Sequence, residues 1–365
     1  MKYSKLFISI FLFFIFQVKA SLYKEIVYAD AKKENADYVL GVDVGGTNTD
    51  FGFFAVKNKK QVLVLSVHIK TKDILDFTLE ISKVIELVKE KYNISVQNAC
   101  IGAPGARSAE KDFSTGGKTK LNIEAKKIKA ATDLQKVIIL NDFEVIGYGV
   151  DLLAPGQIIQ INKGTPKERA PKAVVGAGTG LGTSFLIWND YKKQYFSVWS
   201  ELGAVPFCPA DQDEFAFVQR NIFQTGRISD WNYVLGGVGG IEQLYDFFAL
   251  QDDQLNKKTP EEIFGGFGSD PLCTKVVEKY LELYARFARI ATFAVLPYGG
   301  LYIAGGVVAK NADLFQNSNF LETFFDNTKA ARKWELLRNI PIYLIADYKV
   351  SLYGAAQYLL YEINT

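Results

Sequence analysis

Two short turns in this chain combine glycine with threonine between apolar strands, and such turns can bind phosphate. One follows the apolar run VLGVDV, and the other lies inside Val174–Ile187, VVGAGTGLGTSFLI. Because glycine has no Cβ, the backbone amides and the threonine hydroxyl can close on an anion. The turn residues are Gly45, Gly46 and Thr47 in the first copy and Gly178, Thr179 and Gly180 in the second. A glycine-rich hairpin turn also forms for steric reasons alone, and the second copy is what favours phosphate binding.

A carboxylate stands beside only the first of these turns. Asp43 precedes its glycines, at the place where the second copy has Val175. Carboxylate oxygens bind divalent cations such as Mg²⁺, which often bridge protein carboxylates and substrate phosphates. Asp43 and its turn therefore predict a site for a divalent cation and a polyphosphate.

The pair Asn141-Asp142 is the main candidate for acid–base chemistry. It follows the apolar segment VIIL, which is typical of a buried strand, and a helical pattern comes after it. Open α/β sheets bind their ligands at the carboxyl ends of their strands. Either residue could instead only cap the helix, since asparagine and aspartate are common N-caps. Both interpretations stay open, and the two glycine turns favour the first.

The elements that must position these residues form an internal repeat. Each turn lies between two apolar strands, and a third strand follows a charged turn, at Gln61–Ile69 in the first copy and Tyr195–Leu202 in the second. A repeat of this size predicts two similar domains facing each other. The stretch Leu152–Lys172 ends in a charged, proline-containing segment, which predicts the domain boundary.

Apolar periodicity predicts the remaining elements. They are helices at Ile74–Tyr92, Val276–Leu296 and Ser351–Tyr361, strands at Ala99–Pro104 and Ile342–Ile345, and a strand from Leu301 into a turn at Gly305 and Gly306. The charged segment Tyr23–Asp37 is predicted as a lead-in, and Asp112–Thr119 as a surface hairpin.

Composition excludes several classes of protein. The 365 residues carry a net charge of +2, which gives no reason to expect a nucleic-acid or membrane surface. The single histidine, His68, lies in an apolar strand, so histidine-based triads and metal sites are not expected. The three cysteines, Cys100, Cys208 and Cys273, are far apart and match neither zinc spacing nor a disulfide framework.

The N-terminus has the layout of a secretory signal. Two lysines precede the apolar run Leu6–Phe16, and small residues stand at Ala20 and Ser21. This pattern predicts a signal peptide over residues 1–20 and an exported protein, periplasmic or secreted, without a stable membrane span after cleavage. An uncleaved anchor or a wrongly assigned start, which would leave the protein cytoplasmic, is the alternative.

The order of the motifs resembles the bacterial-type glucokinases of the hexokinase, actin and Hsp70 superfamily. The motifs are DVGGTN, LNDF, GAGTGLG, a strand-end glutamate before F-x-P, AGGVV and a closing L-x-G-A-A. The resemblance runs from about Tyr38 to Leu360 and implies an α/β fold of two ribonuclease-H-like domains, of the actin and hexokinase type, around a central cleft. The implied domains are 38–150 and 172–348, with a C-terminal helix, 349–365, returning to the smaller one.

The resemblance also implies the chemistry, which is ATP-dependent phosphorylation of a hexose, glucose first, at its 6-hydroxyl. Asp142 would be the general base and Asp43 would help to hold Mg²⁺. The implied ATP-binding residues are Gly45, Gly46, Thr47 and Asn48, Gly178, Thr179 and Gly180, and Gly305 and Gly306 beside the adenosine. The implied sugar-binding residues are Asn141, Asp142 and Glu201, with Asn232 in the place of a second glutamate.

The sugar-binding motifs depart from the family pattern, whereas the ATP-binding motifs keep it. Ala204 replaces a sugar-binding histidine, Asn232 replaces a glutamate, and the T-N-x-x-W motif is reduced to Thr119-Lys120 and the residues after it. Pockets that hydrogen-bond hydroxyls discriminate strongly, so these changes predict lower affinity or altered specificity.

Two rival hypotheses stay open. A catalytically silent sugar or nucleotide sensor would explain the altered sugar motifs and the export signal, since ATP is scarce outside the cytoplasm. A different acceptor, such as an amino sugar, or a different donor, such as polyphosphate, is the other. Homodimers are common in families of this kind, and no interface can be read from one sequence.

Overall fold

The computed structural model describes residues 22–28, 36–178, 180–237, 239–251, 256–317, 319–325 and 331–363. The predicted signal peptide and Thr179 lie outside these residues. The chain folds as two compact units, one formed by the residues up to Val145 and from Ser351 onward, the other by Ile146–Val350.

Both units contain strands and helices. The strands are β1 (Lys24–Val27), β2 (Asp37–Val44), β3 (Asn48–Lys57), β4 (Lys60–Lys70), β5 (Asn98–Ala103), β6 (Phe113–Ser114), β7 (Ile123–Glu124), β8 (Lys136–Asn141), β9 (Ile158–Lys163), β10 (Lys172–Ala177), β11 (Leu181–Asn189), β12 (Gln194–Ser200), β13 (Gly300–Ala304) and β14 (Pro341–Ile345). The helices are α1 (Phe77–Tyr92), α2 (Ala125–Ala131), α3 (Asp142–Gly149), α4 (Gln212–Thr225), α5 (Trp231–Leu235), α6 (Gly240–Gln251), α7 (Pro260–Gly265), α8 (Pro271–Val295), α9 (Gly306–Lys310), α10 (Ala312–Asn317), α11 (Phe320–Phe325), α12 (Ala331–Arg338) and α13 (Val350–Ile363). None of the described helices is long and apolar enough to cross a membrane.

The two units repeat one sheet topology. In the first unit the strand order is β1-β4-β3-β2-β5-β8, and in the second it is β12-β11-β10-β13-β14-β9. In each unit three strands run parallel, β2, β5 and β8 or β10, β13 and β14, while the hairpin partners of the first are antiparallel. The prediction of two ribonuclease-H-like α/β domains is therefore confirmed.

The sheets bury their apolar faces against helices in the same manner. In the first unit α1 begins at Phe77, after the N-cap Asp76, whose side chain accepts a hydrogen bond from the N–H of Leu79. The helix packs Phe77, Ile81 and Val84 into the core. In the second unit the 25-residue helix α8 supplies a buried stripe that covers β10 and β13. Each sheet thus has its apolar face covered by a helix, which fixes the positions of its strand ends.

Three stretches differ from the sequence prediction. Part of the lead-in Tyr23–Asp37 is the edge strand β1, which pairs with β4, and part of the linker Leu152–Lys172 is β9, which pairs with β14. Both are edge strands, and their charged or proline-flanked sequences hide a strand that only its sheet partner reveals. The helix predicted from Ile74 begins at Phe77, because Asp76 caps it.

Helix α13 lies directly on the backbone of β2. A Cβ on Gly41 would stand 2.8 Å from the carbonyl oxygen of Leu352, so only glycine leaves room for the helix. This close approach places the N-terminal residues of α13 over the carboxyl end of β2, where Asp43 lies.

We expect Gly41→Ala to destabilise the protein by about 1–3 kcal/mol, because the added methyl group meets backbone that cannot rotate away. Chemical denaturation measures the change. The control is Gly265→Ala, since nothing lies within 4 Å of a Cβ there. Equal stability of the two variants would show that α13 does not pack tightly against the backbone of β2 at Gly41.

Candidate active site

The sheet of the first unit brings its predicted site residues to one edge. Asp43 is paired with Gly102 of the parallel strand β5, and Ala103 is paired with Asn141 of β8. Because β2, β5 and β8 run in the same direction, the turn after β2 and the Asn141-Asp142 pair lie at the same end of the sheet. The negative charge of Asp142 raises the pKa of Asp43, which reflects their proximity.

Asp43 has a strongly raised pKa. Burial raises its pKa to about 7, and the neighbouring carboxylates of Asp50 and Asp142 add to the rise. The Ser351 hydroxyl opposes it by donating a 2.6 Å hydrogen bond to Asp43 Oδ2. Sequence reasoning missed Ser351 because the residue stands in an ordinary helical pattern far along the chain.

Asp50 lies beside Asp43 and was also missed. The two are cross-strand partners on β2 and β3, and His68 is the partner of Asp50 on β4. His68 Nδ1 contacts Asp50 Oδ1, and its Nε2 lies 2.7 Å from the Ser66 hydroxyl. The prediction that His68 lies in a strand is correct, but the side chain has a role there, since it holds the second carboxylate next to Asp43.

The first glycine turn is closed at its base and open at its tip. The Gly45 N–H donates to the carbonyl of Asn48 at 2.9 Å, and Thr71 ties the turn down through its hydroxyl, 2.7 Å from the Gly45 carbonyl. Gly46, Thr47 and Asn48 are exposed. Within the described part of the chain, the amides of Gly46 and Thr47 donate no hydrogen bond, so they fit an anion such as phosphate.

Asn141 caps helix α3 and keeps its amide group for another partner. Its Oδ1 accepts from the N–H groups of Phe143, at 2.9 Å, and Glu144, at 3.4 Å. The Nδ2 group donates to none of the described residues. Asp142, the first residue of α3, accepts from the Phe143 N–H at 3.0 Å. The capping interpretation therefore holds for the oxygen of Asn141 alone.

A buried ion pair fixes the first turn of α3. Glu144, with a side chain 4% exposed, pairs with Arg107 at 2.9 Å, and Lys111 lies 3.9 Å away. Burial raises the pKa of Glu144, and the two cations oppose the rise. This pair links α3 to the loop after β5, and sequence reasoning gave no signal for it.

The site residues of the second unit lie around its own glycine turn. The Gly178 N–H closes the turn on the Gly180 carbonyl at 2.8 Å. The Asn232 side chain reaches this turn, because its Oδ1 accepts from the Leu181 N–H at 2.8 Å. Asn232 also lies against Gly203. Glu201, two residues before Gly203, is exposed.

Gly305 and Gly306 lie beside the same turn. Gly305 has a φ of 95°, and a Cβ there would stand 2.5 Å from the Ala177 carbonyl, immediately before Gly178. Only glycine permits this approach of the β13–α9 turn to the end of β10. The Tyr348 hydroxyl donates to the Gly306 carbonyl at 3.1 Å. The two glycine motifs of this unit therefore lie side by side, with Gly180 exposed and Gly305 and Gly306 half-buried.

A second carboxylate cluster is an ion-pair network. Asp211, Glu214 and Glu282 lie close enough to share a cation. Lys279 already contacts all three, and Arg286 binds Glu214 at 2.6 Å. The ammonium group occupies the place that a metal ion would need.

Comparison with known proteins decides the family. The glucokinase family model matches residues 40–362. The chain belongs to the glucokinase family. A glucokinase from Nostoc sp. (strain PCC 7120) is 28% identical over 348 residues, covering 87% of this chain and 97% of the relative.

Solved structures of glucokinases share the fold. One from Balamuthia mandrillaris, in complex with glucose, superposes with a TM-score of 0.73 at 18% identity, over 91% of this chain and 96% of that one. A ROK family glucokinase from Streptomyces griseus, in complex with glucose and AMPPNP, gives 0.57 at 16% identity, over 88% and 98%. Family membership makes this chain a glucokinase-like phosphotransferase, and the resemblance stated above is confirmed.

The raised pKa of Asp43 gives a pH dependence of stability. In the unfolded chain the carboxyl ionises near its ordinary value of 3.8, whereas the folded protein keeps the proton to about 7. Between these two pKa values the folded state therefore binds more protons than the unfolded chain. The contribution of Asp43 to stability consequently falls as the pH rises through this range. We expect Asp43→Asn to raise the unfolding midpoint over wild type more at about pH 8 than at about pH 5, without metal.

Thermal unfolding in EDTA measures this difference. The control is Asp133→Asn, because Asp133 is exposed on the same unit and forms an exposed ion pair with Lys89. A difference between Asp43→Asn and wild type that stays constant between the two pH values would show that Asp43 ionises normally.

Proposed function

We propose that this chain transfers the γ-phosphoryl group of ATP to the 6-hydroxyl of a hexose, with glucose as the first candidate and Asp142 as the general base. The observation that carries the proposal is the shared sheet edge of the first unit. Asp142 follows β8, while Asp43 lies at the carboxyl end of β2, two strands away, and the open turn Gly45–Asn48 comes after it. Glucokinases with bound glucose and AMPPNP share the fold, which supports a hexose and ATP as ligands.

The roles follow from the demands of phosphoryl transfer, which needs positioning and charge neutralisation more than covalent chemistry. Asp142 would accept the proton of the 6-hydroxyl while that oxygen attacks the γ-phosphorus and the bond to the leaving ADP oxygen breaks. The amides of Gly46 and Thr47 would donate to phosphate oxygens. In the second unit, the backbone at Gly180, Gly305 and Gly306 would take the same kind of role toward the nucleotide.

Asp43 is the proposed ligand for Mg²⁺, and its surroundings fit a cation. It offers carboxylate oxygen, the donor that Mg²⁺ prefers, and burial makes its negative charge costly in the absence of a positive partner. When bound, Mg²⁺ would neutralise the charge of the phosphates. Asp43 would then keep the positive charge of Mg²⁺ at the turn where the phosphates lie.

Asn141, Glu201 and Asn232 are the proposed ligands of the sugar hydroxyls. The side-chain oxygens of both asparagines are already hydrogen-bonded within the protein. Asn141 Oδ1 caps α3, and Asn232 Oδ1 accepts from the Leu181 N–H. Both would therefore act on a sugar as donors through Nδ2, and Glu201 and Asp142 would be the acceptors.

We expect Asp142→Asn to reduce turnover by about 10²- to 10⁴-fold while the hexose KM stays within a few-fold. Coupled ADP release by the full chain, with MgATP and a panel of hexoses, amino sugars and a blank without sugar, measures both. The control is Asp133→Asn, which should match wild type.

Two outcomes would overturn the proposal. Full turnover by Asp142→Asn would exclude this residue as the base. ATP binding without sugar-dependent ADP release in wild type would make the chain a sensor on a kinase fold.

The two functions of Asn141 can be separated by paired substitutions. Asn141→Ser keeps an oxygen that can cap α3 but has no amide donor, whereas Asn141→Ala loses both. We expect both to raise the hexose KM about tenfold, the equivalent of about one hydrogen bond, and only the alanine variant to lower stability, by about 1 kcal/mol. An unchanged KM in Asn141→Ser would reduce Asn141 to a helix cap.

A further inference from the structure

The C-terminal helix delivers one hydroxyl to the carboxylate proposed to hold the cation. Ser351 is the second residue of α13, is 2% exposed, and donates to Asp43 Oδ2 at 2.6 Å. Asp43 Oδ1 receives no hydrogen bond from the described residues, and the Asp43 side chain is only partly buried. One oxygen is thus held inside the unit and the other is left for a ligand.

Glycines in the sheet make this contact possible. The Gly41 Cα lies so close to α13 that a Cβ would stand 2.8 Å from the Leu352 carbonyl and 3.3 Å from Ala355 Cβ. On β3, Gly52 leaves room for the Leu352 side chain in the same way. The backbone of α13 therefore packs closely against the backbone of β2. At this separation a side chain as short as serine reaches Asp43.

The neighbouring carboxylate, Asp50, is the cross-strand partner of Asp43. His68 on β4 contacts its Oδ1, so Asp50 is tied to the side chains of β3 and β4. Asp43 is tied to α13 instead, and it stands two residues before Gly45, where the open turn begins.

We infer that Ser351 is a positioning residue for the cation: by holding Oδ2 it fixes the rotation of the Asp43 carboxylate and presents Oδ1 to a nucleotide-bound divalent ion. This inference deepens the proposed function and rests on its assignment of Asp43. Protein groups that orient metal ligands through hydrogen bonds are commonly worth 10- to 100-fold in metal affinity or activity.

The experiment measures how much Mg²⁺ increases the affinity for ATP. Calorimetry gives the Kd of ATP for the full chain with excess Mg²⁺ and with EDTA, and the ratio of the two constants is the metal gain. We expect Ser351→Ala to reduce the metal gain about tenfold and to leave the Kd of metal-free ATP within about twofold. Ser351→Thr, which keeps the hydroxyl, should retain most of the gain.

A double-mutant cycle with Asp43→Asn tests whether Ser351 acts through Asp43. If it does, adding Ser351→Ala to Asp43→Asn should leave the metal gain unchanged, because the carboxylate that Ser351 orients is already gone. The matched control is Ser82→Ala, since Ser82 is a half-buried serine of the same unit whose hydroxyl donates to the Ala131 carbonyl. This variant should behave as wild type.

Several outcomes would overturn the inference. They are an unchanged metal gain in Ser351→Ala, an equal loss of ATP affinity with and without Mg²⁺, and independent effects of the two substitutions. The second would show a merely structural role. A wild type with no metal gain would remove Asp43 as a cation ligand, and Ser351 with it. Failure of the proposed function is separate, because it would appear as absent sugar-dependent ADP release whatever the metal gain.

Discussion

The cost of keeping a negative charge on Asp43 is the constraint on which the first unit depends. Burial and two neighbouring carboxylates raise its pKa to about 7, so the bare site resists ionisation near neutral pH. Ser351 opposes this cost by donating a hydrogen bond to one oxygen of the carboxylate. The remaining cost is what a bound cation would offset, because an opposite charge favours the ionised carboxyl. A polar edge of this kind is costly to maintain in a sheet that has no ligand for it.

The two units share one sheet topology, but they offer different groups at their turns. Each offers a backbone turn after its first parallel strand, and glycine is required where helix or turn backbone approaches the sheet, as at Gly41 and Gly305. The second unit has Val175 where the first has Asp43. It therefore presents amides and no carboxylate at its turn, and its polar side chain there, Asn232, is partly used to hold the Leu181 N–H. Both units therefore have a glycine turn, but the first has the carboxylate of Asp43 beside it where the second has the apolar side chain of Val175.

Local patterns made much of this predictable from the sequence. The glycine turns, the buried strand before Asn141 and the repeat all depend on residues within a few positions of one another. Ser351 does not, because it reaches Asp43 across 308 positions and looks like any other helical residue. The pairing of Glu144 with Arg107 likewise needs the loop after β5 to fold back over α3. The edge strands β1 and β9 escaped for a similar reason, since they are strands only by virtue of their partners β4 and β14.

Asn141 shows why a capping interpretation and a ligand-binding one need not compete. The sequence presents them as alternatives for one residue, but the side-chain amide has two ends with opposite hydrogen-bonding roles. The cap uses Oδ1, which accepts from two backbone N–H groups of α3, and in doing so it fixes the direction of Nδ2. An aspartate at this position would cap as well but would have no donor, and it would add a further negative charge beside Asp142 and Asp43. Asparagine is therefore the residue that caps the helix, keeps a donor and spares the neighbouring carboxylates additional repulsion.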